Sequence, residues 1–233
     1  MTRNATAAKF FDFSPKIKSM KLKHLVTLVV LATPVSSFAA TGIFGSYINV
    51  TSTNFAGGSG VWYDAQVPGG GRASDPTDFN GFAFGTYNPG AGGALSLTGA
   101  EVLTFKGTLP DDVTGAKINF RIYNAGLPSG AYTPIAIGFT ANATFADAAG
   151  TSYSGGGDQK WANGVGTTNL LSGLSNGNYQ LEIYLEASTD SGTTFSNNGG
   201  ANFKSTFTVV PEPTSAALGL IGSMLLLRRR RSI

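Results

Sequence analysis

The chain has 233 residues with 32 Gly, 10 Pro, 42% hydrophobic and 12% charged residues, a composition that excludes disorder and describes one turn-rich domain with enough apolar mass for a core. The absence of Cys and the presence of one His, His24, exclude a disulfide scaffold, thiolate chemistry and a His/Cys zinc cage. The net charge of +3 comes from the two ends, because residues 40–210 hold six basic groups against eleven acidic ones; the folded part therefore offers no basic surface to nucleic acid.

The first element is an export signal. From Met20 the chain reads MKLKHLVTLVVLATPVSSFAA: lysines, an apolar run from Leu25, then small residues, the three-part pattern of a secretory signal peptide. Ser37 and Ala39 supply the small side chains that signal peptidase requires at −3 and −1, so residues 1–39 are expected to be removed by cleavage before Ala40. Met20 is the expected true start, since residues 1–19 add charge and Pro15 without a structural pattern.

Residues 40–210 contain 30 of the 32 glycines, which disfavours long helices. Their apolar residues recur every second position in short blocks. Ile118, Phe120 and Ile122 share one face of Lys117–Tyr123, and Leu181, Ile183 and Leu185 share one face of Asn178–Ala187. Further strands are predicted at Phe44–Val50, Val61–Gln66, Gly81–Phe84, Glu101–Lys106, Ile135–Phe139 and Ala201–Val209. Glycine-rich and Asn-rich turn clusters such as Pro68–Gly71, Asn88–Gly93 and Ser196–Gly200 separate them. About eight or more short strands with one polar face predict a single antiparallel β-sandwich over residues 40–210.

Several phrases of the second half resemble β-sandwich domains of secreted bacterial surface proteins: Gly157-Asp-Gln-Lys-Trp161, Asn169-Leu-Leu-Ser-Gly-Leu174, Gly177-Asn-Tyr-Gln-Leu-Glu182 and Gly199-Gly-Ala-Asn-Phe203. The resemblance implies a fold and no activity.

Without His or Cys after signal cleavage, neither a Ser-His-Asp nor a Cys-His site is available. A glycosidase needs two carboxylates about 5–10 Å apart. Glu182 and Glu186 share a strand face but lie roughly 13 Å apart by strand rise, and read as solvated partners of Lys117 and Arg121 across strands. Asp75, Asp78, Asp111, Asp112 and Asp158 lie in loops, where calcium is the one cofactor left open, but no loop has the ligand density of a calcium motif and turn chemistry explains them. Aromatic residues bordering the glycine-rich loops are the remaining ligand candidates, chiefly Trp62, Tyr63, Tyr87 and Trp161, as rings for stacking on sugars; filling the core is the competing role.

The last element reads Val210-Pro211-Glu212-Pro213, an apolar run Ala216–Leu227, and Arg228-Arg229-Arg230-Arg231. The twelve apolar residues span about 18 Å as a helix, so even residues 214–227 make a marginal membrane anchor against the roughly 20 residues of a comfortable span. Pro211 and Pro213 keep the segment before it extended, and the arginine block holds the far end cytoplasmic. This order of parts resembles the PEP-CTERM sorting tail of Gram-negative bacteria, a motif also labelled an ice-binding protein C-terminal domain. The resemblance implies that exosortase, an integral-membrane enzyme, recognises Pro211-Glu212-Pro213.

Together these readings predict an all-β domain flanked by a signal helix and one membrane helix. The expected protein is non-catalytic and metal-free, passes through an inner-membrane intermediate, and reaches the cell surface or the exopolysaccharide matrix. A carbohydrate-binding module is the alternative, followed by a glycosidase.

Overall fold

A computed structural model describes residues 41–66, 75–107, 112–127 and 129–211. The expected signal peptide 1–39 and its expected cleavage residues Ser37, Ala39 and Ala40, the motif residues Glu212 and Pro213, the expected membrane helix 214–227 and Arg228–Arg231 lie outside the described residues.

Thirteen strands run through the described residues: β1 Gly42–Ser52, β2 Val61–Asp64, β3 Ala83–Tyr87, β4 Leu95–Phe105, β5 Val113–Asn124, β6 Thr133–Asn142, β7 Phe145–Ala146, β8 Ser152–Tyr153, β9 Asp158–Asn163, β10 Thr168–Asn169, β11 Gly177–Thr189, β12 Gly192–Ser196 and β13 Phe203–Val209. Helical structure among them is confined to three-residue 3-10 turns, and no helix there is long and apolar enough to cross a membrane.

Eleven strands form one curled mixed sheet in the order β2-β1-β4-β9-β6-β5-β11-β13-β3, with β10 beside β4 and β12 beside β11, while β7 and β8 make a separate hairpin. The alternation seen in the sequence sets the central pairing. Ile118 faces Leu185, Phe120 faces Ile183 and Ile122 faces Leu181 across the antiparallel β5–β11 pair, all on the core side. Strand β6 changes partner partway: 133–137 pair with β5 and 138–142 with β9, with register shifts around Phe139. Such bulges bend a strand, and this bend curls the sheet. Segment 77–82 links the far ends, since Asp64 N donates to Thr77 O at 3.0 Å and Phe79 N to Asp64 O at 2.8 Å, while Thr206 N donates to Phe82 O at 2.9 Å.

The purely antiparallel expectation is corrected at β3, which runs parallel to β13; the long intervening chain supplies the crossover that a parallel pair needs. The strand also sits later than the predicted Gly81–Phe84. Gly85, at φ +91°, is the extra residue where the β3–β13 register shifts, a conformation that favours glycine. The carbonyls of Phe84 and Thr86 on this edge strand are capped by Asn54 Nδ2, both at 3.2 Å, which blunts the edge against pairing with another chain.

Candidate functional site

The outer face of the β5–β11 pair carries Lys117, Asn119, Arg121 and Tyr123 opposite Glu186, Tyr184, Glu182 and Gln180. The two predicted ion pairs form, Lys117 Nζ to Glu186 Oε1 at 2.6 Å and Arg121 Nη2 to Glu182 Oε1 at 2.8 Å. The expectation that they are solvated is corrected: the Glu182 side chain is 2% exposed and that of Glu186 10%. A roof of polar and aromatic side chains covers them.

Glu182 is the hub of that roof. Its Oε1 accepts from Tyr132 OH at 2.6 Å and Asn202 Nδ2 at 2.8 Å, and its Oε2 from Tyr123 OH at 2.8 Å and Arg121 Nε at 3.2 Å. The fork of Arg121 thus grips both oxygens, the arrangement that gives planar, charge-assisted specificity. The guanidinium carbon also stands 4.2 Å from the Tyr132 ring centroid, and Arg121 Nη1 donates to Gly130 O at 3.2 Å, fixing the loop before β6. Asn202 reaches the carboxylate from a left-handed backbone position, φ 56°, which Asn tolerates better than most residues. Burial pushes the Glu182 carboxyl up, but the bonds from Arg121, Tyr132, Asn202 and Tyr123 outweigh it and bring it down to about 2. Burial and the same carboxylate push the Tyr123 hydroxyl up to about 12. A carboxylate held ionised by so many donors orients its neighbours and has no proton to give as a general acid.

Aromatic rings continue from this hub. Tyr132 and Tyr184 stand edge-on at 4.9 Å between centroids, and Tyr184 lies 6.2 Å from Phe195 of β12, which is 52% exposed. At the other end of the same face a cleft of about 330 Å³ opens over β3, β13 and β11, lined by Gly85, Thr86, Ala125, Asn178, Thr206 and Thr208 among others. Thr208 Oγ1 donates to Asn178 Oδ1 at 2.9 Å.

Three of the predicted sugar-stacking rings are corrected to core residues: Tyr63, Tyr87 and Trp161 are buried in the apolar cluster. Tyr63 packs on Phe82 and Phe84 at 4.7 and 5.4 Å, Tyr87 donates to Phe84 O at 2.8 Å, and Trp161 Nε1 donates to Thr104 Oγ1 at 3.0 Å. The Tyr87 hydroxyl and the Trp161 indole N–H each find a partner inside the fold, so both rings are desolvated without leaving a polar atom unmet. Trp62 is half-buried on the outer face of β2, its ring end 3.4 Å from where a Cβ on Gly99 would stand; the missing side chain makes room for it.

Of the aspartates weighed for calcium, Asp158 Oδ2 accepts from Gly155 N at 3.1 Å and Asp112 Oδ1 from Val113 N at 2.7 Å, which is turn chemistry. Asp111 lies outside the described residues. Among the described residues no group of three or more acidic or His side chains is placed to hold a metal ion.

A buried acidic row on the opposite part of the sheet gave no signal in the sequence. Tyr47 of β1 stands opposite Asp64 of β2 and Glu101 of β4. Glu101 pairs with Lys160 at 2.7 Å and accepts from Ala148 N at 2.9 Å, while Tyr47 OH lies 3.1 Å from Asp75 Oδ1 and 3.4 Å from Asp147 Oδ2. Asp64 is 5% exposed and its Oδ1 has no hydrogen-bond partner among the described residues. Burial first, then the Asp75 charge, push its carboxyl up to about 6 from 3.8. Because the folded state holds this proton more tightly than the unfolded one, the group costs nothing below the unfolded value and costs stability as pH rises through about 6. The shift corresponds to about 3 kcal/mol at neutral pH. Asp64→Asn is therefore expected to raise the urea midpoint at pH 7.5 and leave it unchanged at pH 3.5; equal effects at both values would contradict a charge origin.

No protein-family model matches the chain, and no curated protein matches it.

Proposed function

We propose that this protein is a non-catalytic component of the cell surface or exopolysaccharide matrix, exported by its signal peptide and sorted through its C-terminal tail. The carrying observation is the order of parts in the sequence: a basic, apolar, small-residue leader at one end and Pro211-Glu212-Pro213, a short apolar run and Arg228–Arg231 at the other. The position of Pro211 supports it. Strand β13 ends at Val209, Val210 N donates to Tyr87 O at 2.9 Å, and Asn88 Nδ2 donates to the exposed Pro211 at its carbonyl, 3.2 Å away. Among the described residues, the last bonds of the folded body thus fall at the first residue of the motif. We read the curled sheet as the two layers of a β-sandwich, with β6 as the corner strand; the approach of β1 and β4 to β11 and β5 across the core supports this.

Replacing Pro211-Glu212-Pro213 by three alanines tests the sorting claim, because the apolar run Ala216–Leu227 and the arginine block are untouched. Fractionated cells carrying a tag after Ala40 are expected to retain the variant full-length in the inner membrane and to lose it from the matrix. Equal release of wild type and variant would make the tripeptide an incidental linker.

The second reading, a carbohydrate-binding module, is favoured by one specific feature: the ring row Tyr132, Tyr184 and Phe195, braced by Glu182 and Arg121 on an outer sheet face. Rings immobilised before binding lose little entropy when a sugar stacks on them.

A further inference from the structure

We infer that an uncharged polysaccharide lies along the outer face of β11, from the cleft at Thr206 and Thr208 to the rings of Tyr184 and Phe195; this rests on the carbohydrate-binding reading above. Asn178, Gln180, Glu182 and Tyr184 alternate along that face of β11, so the stripe from Asn178 to Tyr184 runs about 20 Å by strand rise, long enough for several sugar units.

The chemistry changes along the stripe in a way that suits a hydroxyl-rich, uncharged chain. Among the described residues, the cleft lining contains no ionisable side chain other than the Tyr179 phenol. Its walls offer the hydroxyls of Thr86, Thr206 and Thr208 and the amide of Asn178 over the small surfaces of Gly85 and Ala125, a combination of hydrogen-bonding groups and flat apolar patches that matches the two faces of a sugar ring. Gln180 and Tyr123 follow, their polar atoms 2.5 Å apart, and then the rings, spaced 4.9 and 6.2 Å. In the middle the charges cancel internally: Arg121 is consumed by Glu182 and Lys117 by Glu186. An acidic polymer would need free cations along its path, and the stripe offers it Lys204, which stands opposite Glu182 on β13 and forms no ion pair among the described residues. One ammonium at the edge of a face whose other charges are paired gives little purchase to a polyanion.

The test uses the full chain in mild detergent, run in native gels cast with uncharged glucans, mannans, galactans and xylans, or with polygalacturonate. Thr206→Arg and Thr86→Arg fill the cleft from two different strands at exposed positions, Phe195→Ala removes the terminal ring, and Lys204→Ala removes the unpaired charge; thermal unfolding confirms that each variant is folded. At least one uncharged polymer is expected to retard the wild type, with binding weakened tenfold or more in either arginine variant and in Phe195→Ala, and unchanged in Lys204→Ala. Retardation by polygalacturonate alone, abolished in Lys204→Ala, would overturn the uncharged ligand and leave a carbohydrate-binding module in place. Retention of an uncharged polymer that none of the cleft or ring variants weakens would overturn this face as the site. No retardation by any polymer would overturn both the inference and the reading beneath it.

Discussion

Glu182→Gln is expected to lower the free energy of unfolding at pH 7 by about 3 kcal/mol, within the range for breaking a buried pair by removing one partner. The reason lies in the donor count. Arg121, Tyr123, Tyr132 and Asn202 all point hydrogens at this carboxylate, so an amide places a donor where only acceptors fit and leaves Arg121 without a counter-charge. The pH dependence identifies the cause. The folded-state carboxyl sits at about 2 against 4.5 for the free group, so its contribution is complete above 4.5 and is lost as pH falls toward 2. Urea unfolding between pH 7 and pH 2 reads this: the wild type loses about 3 kcal/mol from this group over the acid limb, and Glu182→Gln, already lacking it, loses correspondingly less. Parallel curves for the two proteins would show that the network is not held by charge.

Trp161→Ala is expected to destabilise the protein by about 3–5 kcal/mol while leaving polysaccharide binding intact in whatever fraction remains folded. The indole is 7% exposed, stands edge-on to Phe139 at 5.4 Å and is the donor to Thr104 Oγ1. Its loss opens a cavity between β4, β6 and β9 and removes a hydrogen bond from a fully buried hydroxyl. Denaturant unfolding gives the stability, and gel retardation the binding. A variant of wild-type stability that no longer binds polysaccharide would restore Trp161 as a ligand residue and move the site off the β11 face.

The parts of this fold that were legible in the sequence are those where one strand carries its own complete signal. Strands β5 and β11 alternate over many residues, so their faces, and the meeting of Glu182 and Glu186 with Lys117 and Arg121 across strands, could be anticipated; which carboxylate meets which cation is fixed by the register. Strand β9 could not, because its inward residues are Gln159 and Trp161, and a buried glutamine erases the period-two pattern. Strand β3 was displaced by the bulge at Gly85, since a bulge shifts the face that each later residue occupies. The aromatic candidates failed for a related reason: proximity to glycine-rich turns says nothing of which face a ring occupies, and Tyr63, Tyr87 and Trp161 face inward. The rest of the Glu182 hub was hidden because its other donors come from far along the chain with no pattern linking them to β11, Tyr123 fifty-nine, Tyr132 fifty and Asn202 twenty residues away. The burial of Asp64 depends in the same way on β1 and segment 77–79 closing over it.

The most direct measurement of the central claim, export followed by processing at both ends, is the intact mass and terminal sequence of the protein recovered from the matrix of cells that make it. A mature chain beginning at Ala40 and lacking Arg228–Arg231 is the predicted result. A chain found only in the cytosol, still beginning at Met1 or Met20 and still carrying the arginine block, would contradict it.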